Sequence, residues 1–408
     1  MNEEKKGRGA STDAPGRPVV AHFTRKANQL NQTFIYNQVR HHQRYRPVLV
    51  YRNPDNPGPL AGELLGETPS LSCAAVAGGL RGLLARLPHR RLRQLSGIDT
   101  AGVLRFLGER GTRICHFHYG SDATLYLDIM RRSGLPSVVS FYGYDASSFP
   151  RWYGGVGRRL LGRVFRAATR IFAMSEDMRE DFLTLGCPEE KIIVHYYGTD
   201  VTRFRMERSY PEREPVTLLI LANLAPQKGH LFLLQAMEKV VADAPGLRLN
   251  AVGGTVPGYL EYYRELMRFT EEHGLSPYVH FHGPLPYLSP PFMRAIEQAD
   301  IFIHPSVISP KKEKEGIPGT IIEAMASGLP VISTTHAGIP YVIESGRTGL
   351  LVDEWDVDAL EGAILKLVHS RDLRETIGRA GQEYALNHLD LVHKEAELEA
   401  IYDSLLEA

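Results

Sequence analysis

The chain has 408 residues, which suits two domains of about 200 each. At 43% hydrophobic and 23% charged residues it has an ordinary globular composition, which excludes fibrous and low-complexity classes. The formal net charge is zero, yet residues 1–200 hold 28 Lys+Arg against 18 Asp+Glu and the remainder hold 19 against 29; the split marks either a face for anionic partners, nucleic acid not expected among them, or chance variation between two domains.

The opening stretch, residues 1–17, is charged and glycine-bearing, without an apolar signal core, and reads as a disordered tail. A strand signal, "RPVVAHF", leads into a helix-like "TFIYNQVRHH", and "YRPVLVY" is the next strand. "TRICHFH", "SVVSFYG", "TRIFAMS" and "KIIVHYYG" follow, with helical stretches between most of them. Apolar strands separated by helices indicate a parallel sheet covered on both faces. The charged, proline-bearing Phe204–Pro215 reads as a linker. A second series then runs through "VTLLILAN", "LRLNAVGG", "VHFHG", "IFIHPS", "PVISTT" and "GLLVD". Two helical stretches and a last amphipathic helix close the chain. The expected architecture is α/β with two facing Rossmann-like domains. The first spans 18–205 and takes the acceptor. The second spans 216–385 and takes the donor. A C-terminal helix, 386–408, crosses back to the first domain. Ligands in such sheets bind at the carboxyl ends of strands, which puts a cleft between the domains.

No apolar run reaches the ~20 residues that span a bilayer. Cys73, Cys115 and Cys187 show no metal spacing and suit a reducing cytosol, so a cytoplasmic location is expected, extending to the inner face of the membrane. His116 and His118 alternate along one strand and share a face, but no Asp, Glu or Cys at suitable spacing joins them into a zinc site. Arginines cluster in residues 81–94 and 151–170. In the second cluster Arg158, Arg159, Arg163 and Arg166 lie opposite Leu160, Leu161, Val164 and Phe165. Such a helix rests on anionic lipid with its apolar side buried, or packs on its own sheet through the same leucines.

The most informative stretch is "EKEGIPGTIIEAMASGLPVISTTHAGIP", Glu313–Pro340. Glu315 and Glu323 flank a helix start near Pro318–Gly319. Helix starts leave backbone N–H groups free and favour phosphate. Gly316 and Gly319 let the backbone approach a ligand. Carboxylates accept hydrogen bonds in pairs and vicinal diols donate them in pairs. One glutamate would hold a ribose and the other a hexose, with the diphosphate between them. The plain structural alternative is a dipole-favoured helix glutamate and a solvated loop glutamate.

Glu315, Gly316, Ile317, Pro318, Gly319, Glu323, Ala324, Met325, Ala326, Gly328, Pro330 and Val331 together resemble the signature of the retaining glycosyltransferases of family 4, which share the GT-B fold. "GRTGLLV" resembles the family's next segment. "SFYGYD" and "GCPEEKIIVHYYGTD" look like the members that assemble bacterial exopolysaccharides. The resemblance implies a UDP- or GDP-hexose donor, no cofactor, no required metal, and a saccharide or lipid-linked acceptor. It implies that Lys228 neutralises the leaving diphosphate together with the Gly319–Thr320 helix start. Asn223 stands where the family usually has a phosphate-contacting arginine, and Arg25 is a candidate replacement. Tyr142 stands where the family commonly has histidine. Asp145 would hold an acceptor hydroxyl or the base of its own loop. Gly253 would let the backbone approach the ligand or form a plain turn, and groups near Gly283 would read the base. Arg25, Asn31, Thr33 and His118 are placed on the acceptor side. Two other functions fit the same chain: a GT-B synthase acting on a soluble sugar or sugar phosphate, and a sugar-nucleotide binding module without turnover.

Overall fold

Two parallel sheets organise the chain. In the computed structural model, residues 16–73, 94–212, 214–310, 312 and 314–407 are described. Most of the tail and all but the last residue of the 81–94 arginine cluster lie outside them. The first sheet has β1 (Val19–Lys26), β2 (Arg46–Asn53), β3 (Ser70–Ser72), β4 (Thr112–His118), β5 (Ser137–Ser140), β6 (Arg170–Ala173) and β7 (Ile192–Val194), in the order β3-β2-β1-β4-β5-β6-β7. The second has β8 (Thr217–Leu221), β9 (Arg248–Val252), β10 (Val279–Gly283), β11 (Ile301–His304), β12 (Val331–Thr334) and β13 (Leu350–Val352), in the order β10-β9-β8-β11-β12-β13. Each order starts at a middle strand and reverses direction after three strands. That is the doubly wound Rossmann pattern, with its ligand crevice where the order reverses. In the second sheet the reversal lies between β8 and β11, the strands whose ends carry Asn223 and His304.

Two compact units result. One is Met1–Ser140, Arg163–Ile171 and Glu395–Ala408, and the other is Phe141–Gly162 and Phe172–Lys394. The second has a large core, in which Leu218, Ile220, Phe232, Met237, Ile303, Ile332 and Leu360 are buried between its sheet and helices. Each such side chain contributes about 1.5–3 kcal/mol relative to leaving it in water. The segment read as a linker is fixed to this unit. The Arg208 guanidinium donates to the carbonyls of Ile296, Ala299 and Ser327, and the Tyr210 hydroxyl donates to Gly328 O.

The first unit holds a buried polar layer. The β1–β4 register sets His22 opposite His116, and strand alternation puts His118 on the same face as His116. His22 Nδ1 lies 2.9 Å from His118 Nε2, and its Nε2 lies 2.9 Å from His42 Nε2. His116 bonds Tyr402 and Ser140. His42 Nδ1 faces Glu395 and Glu399 at 3.6 and 3.5 Å. Burial pushes the Glu399 carboxyl up, but His42 and the backbone N–H groups of Arg44 and Gln43 outweigh it and hold the group at about 2. His42 Nδ1 makes no hydrogen bond there, so Glu399 faces it at contact distance only, and the rings of His42, His22 and His118 are linked through the two 2.9 Å contacts. His22, His116 and His118 bring ring nitrogens within 4.8 Å of one another, the one such group of metal-ligating side chains among the described residues. Sequence spacing cannot show it, because His22 lies on another strand.

Candidate functional site

The glutamate-bearing loop and its helix sit in the second unit. Pro318 precedes the helix Gly319–Ala326 and offers no side-chain cap, so the helix start keeps donors for a ligand. A side chain at Gly319 would meet nothing within 4 Å. Ile317 and Pro318 are buried and seat the loop, while Thr320 Oγ1 lies 3.4 Å from His304 Nδ1. Glu315 Oε2 and Lys228 Nζ are 2.6 Å apart. The sequence reading gave these two residues separate partners; the fold pairs them. Lys228 is set by the turn before the helix His230–Asp243, where Gly229 adopts φ +73° and a Cβ would lie 1.7 Å from Pro305 O.

Glu323 lies one turn inside its helix and is buried. Its Oε1 accepts from the Tyr287 hydroxyl at 2.8 Å, and its Oε2 has no partner. Burial raises its carboxyl to about 7, against the lowering effect of Tyr287. Other buried polar atoms without a partner lie on neighbouring segments: Gln227 Oε1, both ring nitrogens of His230, His304 Nε2 and Ser306 Oγ. Burial, then the Lys228 charge, lowers His230 to about 3, and His304 is lowered likewise, with His230 and His336 adding to the effect. Both rings are neutral near pH 7. Orphaned buried polar atoms cost free energy unless something satisfies them, so a polar ligand fits this place.

Other expected positions are placed as follows. Asn223 is exposed at the end of β8. Gly253 fits its own neighbours rather than an open approach: a Cβ there would lie 1.8 Å from Ala222 O. Gly253 N donates to Gly283 O at 3.0 Å, and Gly283 has φ +71°. Asp145 is fully buried and accepts from Tyr142 N at 2.9 Å, so its carboxylate ties the Tyr142–Asp145 turn instead of lining an open surface. That turn packs on the loop: a Cβ at Gly316 would lie 3.0 Å from Tyr142 O, and one at Gly143 would lie 3.0 Å from Gly316 N.

In the first unit, Arg25 is the penultimate residue of β1, Asn31 closes the turn Ala27–Asn31, and Thr33 opens the helix Thr33–Arg40. His118 is fully buried and bonded to His22, which corrects its expected place on an open acceptor face. In Trp152–Ala167, broken by left-handed backbone at Tyr153–Gly155 and helical beyond it, Leu161, Val164 and Phe165 are buried, so they form no exposed stripe for lipid. Its exposed apolar groups are Trp152, Tyr153 and Val156, near Arg158 and Arg159. Among the described residues no helix is long and apolar enough to cross a membrane.

The buried imidazoles set an expected pH response. His22, His118, His230 and His304 are all held below the ordinary value near 6.5. As pH falls through 6.5 the unfolded chain takes up protons that the folded chain refuses, costing about 1.4 kcal/mol per pH unit for each histidine. Glu323 and Glu395 are raised and work the other way, losing stability as pH rises above the ordinary carboxylate range. His282 is lowered and Asp181 raised as well, so five lowered histidines stand against three raised carboxyls and leave a net loss on acidification. Urea unfolding from pH 7 to pH 5 should show the midpoint falling; a flat or rising midpoint contradicts the assignment of neutral rings.

Two family descriptions match the chain, "Glycosyl transferase 4-like domain" over residues 36–198 and "Glycosyl transferases group 1" over residues 215–370. The chain is similar to the putative colanic acid biosynthesis glycosyltransferase WcaL of Salmonella typhimurium, 30% identical over 338 residues that cover 75% of this chain and 79% of the relative. It is also similar to the GDP-mannose-dependent alpha-(1-6)-phosphatidylinositol monomannoside mannosyltransferase of Mycolicibacterium smegmatis, 27% identical over 296 residues that cover 70% of this chain and 74% of the relative. Among solved structures, Anabaena HepE in complex with UDP and glucose matches with a TM-score of 0.74 and 18% identity, covering 94% of this chain and 99% of that one. At that identity the likeness carries the fold alone.

Proposed function

The chain belongs to the glycosyltransferases of family 4, with their GT-B fold, and on that premise we propose that it transfers a hexose, with retention, from a UDP- or GDP-sugar to a saccharide or lipid-linked acceptor in polysaccharide or glycolipid assembly. The observation that carries the donor assignment is the unpartnered Oε2 of Glu323, buried beside a helix start and in the same unit as the Lys228–Glu315 pair. A ribose diol supplies the donors that Oε2 lacks. The diphosphate takes the helix start, with Lys228 and the neutral His230 and His304 as further donors. Glu315 takes the hexose. The acceptor oxygen attacks on the face from which the diphosphate leaves, and the leaving phosphate oxygen takes the acceptor proton. Charge on the diphosphate is stabilised by fixed donors.

The names of the relatives support both donor nucleotides: HepE was solved with UDP and glucose, and the mycobacterial relative is GDP-mannose-dependent. The test is release of nucleoside diphosphate over a panel of UDP- and GDP-hexoses, with free sugar, sugar phosphate and lipid-linked acceptors. Acceptor-dependent release that survives EDTA is expected. Binding without release from any donor would make the protein a sugar-nucleotide binding module.

A membrane-borne acceptor also calls for surface contact. The exposed Arg158 and Arg159, with Tyr153 at 84% exposure, suit anionic headgroups. Co-sedimentation with anionic vesicles is expected at low salt and should fade at high salt. Changing Arg158, Arg159 and Arg163 together to glutamine should weaken it, and binding indifferent to that change contradicts the contact.

A further inference from the structure

The backbone of Glu315 is held by a histidine from a neighbouring strand end. Strands β12 and β13 pair in parallel with Thr334 opposite Val352. Two residues beyond each partner stand His336 and Glu354, brought side by side by that register. His336 is 1% exposed. Its Nδ1 lies 2.7 Å from Glu354 Oε1, and its Nε2 accepts from Glu315 N at 3.0 Å. A backbone N–H only donates, so Nε2 carries no proton, and the ring's one hydrogen is on Nδ1, donated to Glu354. Glu354 is fixed in turn, because its Oε2 accepts from Ile308 N at 2.6 Å. Burial raises the Glu354 carboxyl, but the His336 and Ile308 bonds outweigh it and hold the group below its ordinary value.

The same loop is gripped elsewhere. Lys314 N donates to Ser147 Oγ at 3.3 Å, and the Lys314 amine pairs with Asp177 and Asp181. A Cβ at Gly338, two residues after His336, would lie 2.8 Å from Ile317 Cγ1 and 3.1 Å from Gly316 O. The His336 bond differs from these contacts in acting on Glu315 itself. It fixes the point from which the Glu315 side chain reaches Lys228.

We infer that His336 and Glu354 form a positioning pair, an imidazole accepting from the Glu315 amide and a carboxylate setting the tautomer, that aims the Glu315 carboxylate at Lys228 and at the donor sugar. This rests on the donor-site reading of Glu315 given above. His336 touches no substrate in this scheme. A group that fixes the backbone of a sugar-binding carboxylate affects the geometry of the whole donor, and small misplacements cost on the order of a hundredfold in rate.

Two readouts test the inference on the full chain. The first needs no turnover: amide hydrogen exchange of peptides covering Lys314–Gly319. His336→Leu removes the acceptor and should speed exchange there, on the order of tenfold or more. His336→Gln places a side-chain oxygen near the Nε2 position and should restore most of the protection. Glu354→Ala, which frees the ring and the Ile308 amide but leaves the His336 acceptor in place, should give an intermediate rate and serves should His336→Leu fold poorly. The second readout is steady-state kinetics with the best sugar nucleotide. His336→Leu should lower kcat/KM for the whole donor on the order of tenfold to a hundredfold, with His336→Gln recovering most of it. Affinity for free nucleoside diphosphate should change little. Unchanged exchange in both His336→Leu and Glu354→Ala overturns the inference, as does a His336→Gln variant no better protected than His336→Leu. Equal losses of nucleoside diphosphate and whole-donor affinity overturn the aim at the sugar. A wild-type protein that turns over no sugar nucleotide would overturn the proposed function instead, and the exchange rates would still decide whether the pair holds the loop.

Discussion

Lys228→Ala is expected to lower turnover at least 100-fold, about 2.7 kcal/mol at the transition state. Negative charge grows on the diphosphate as the glycosidic bond breaks, so an ammonium there stabilises the transition state more than the bound donor. The loss should therefore fall on kcat more than on nucleotide affinity. The 2.6 Å contact to Glu315 adds a second route to the same loss, because the alanine variant leaves that carboxylate half-buried without its cation. The double variant Lys228→Ala with Glu315→Gln separates the two. If the lysine acts on the diphosphate, neutralising Glu315 recovers little. If its main task is to hold Glu315, the double variant is about as active as Glu315→Gln alone. Steady-state kinetics of the four proteins decides, and a Lys228→Ala variant with near-normal turnover places the charge elsewhere.

Glu323→Ala should weaken binding of free nucleoside diphosphate as well as of the whole donor, since the proposed partner is ribose. Hydrogen bonds to a charged group contribute roughly 1.5–3 kcal/mol each, so losing two lowers affinity on the order of a hundredfold or more. The raised carboxyl adds a sharper expectation. Burial holds Glu323 at about 7, so near neutrality a large share carries a proton on the free protein. A diol donating to both oxygens favours the carboxylate, so binding expels that proton. Affinity for nucleoside diphosphate should rise as pH increases from about 6 to about 8 and level off beyond. Titration calorimetry in buffers of different ionisation enthalpy should register proton release. Glu323→Gln, which keeps the Tyr287 contact, should abolish both. Affinity that is flat across this range in the wild type, or a pH response that survives in Glu323→Gln, removes Glu323 from the ribose.

Much of this was legible in the sequence, and what was missed shares one cause. Alternating apolar strands and helices announce a parallel sheet, because each pattern is local and repeats. Glu315, Glu323 and Lys228 were legible because a loop, a helix start and a lysine after a strand each carry a short signal. Their direct pairing was not, since Lys228 and Glu315 lie 87 residues apart. His230, His304, His336, Tyr287 and Glu354 had no signal at all. His304, His336 and Glu354 stand at or just past strand ends, His230 opens a helix and Tyr287 lies in a loop, and the role of each depends on which segment stands beside it. Register supplies that information, and composition does not. Gly253 and Asp145 each carried two open readings, a ligand contact and a plain turn. A glycine and an aspartate at strand ends suggest a ligand, but a close carbonyl and a turn N–H explain them first.

The polar layer of the first unit is assembled from residues far apart in order of synthesis. Gln43 and Arg44 donate their backbone N–H groups to Glu399, 356 and 355 residues later, and His116 waits 286 residues for Tyr402. Until Glu395–Glu407 has left the ribosome, His22, His42 and His116 have no helix to close over them and stay hydrated. At a synthesis rate of about 5–20 residues per second that interval is on the order of tens of seconds after β1 emerges. The unit that begins first is thus among the last parts of the chain to reach its native packing, and its sheet must persist meanwhile as a half-covered surface in need of shielding from other chains.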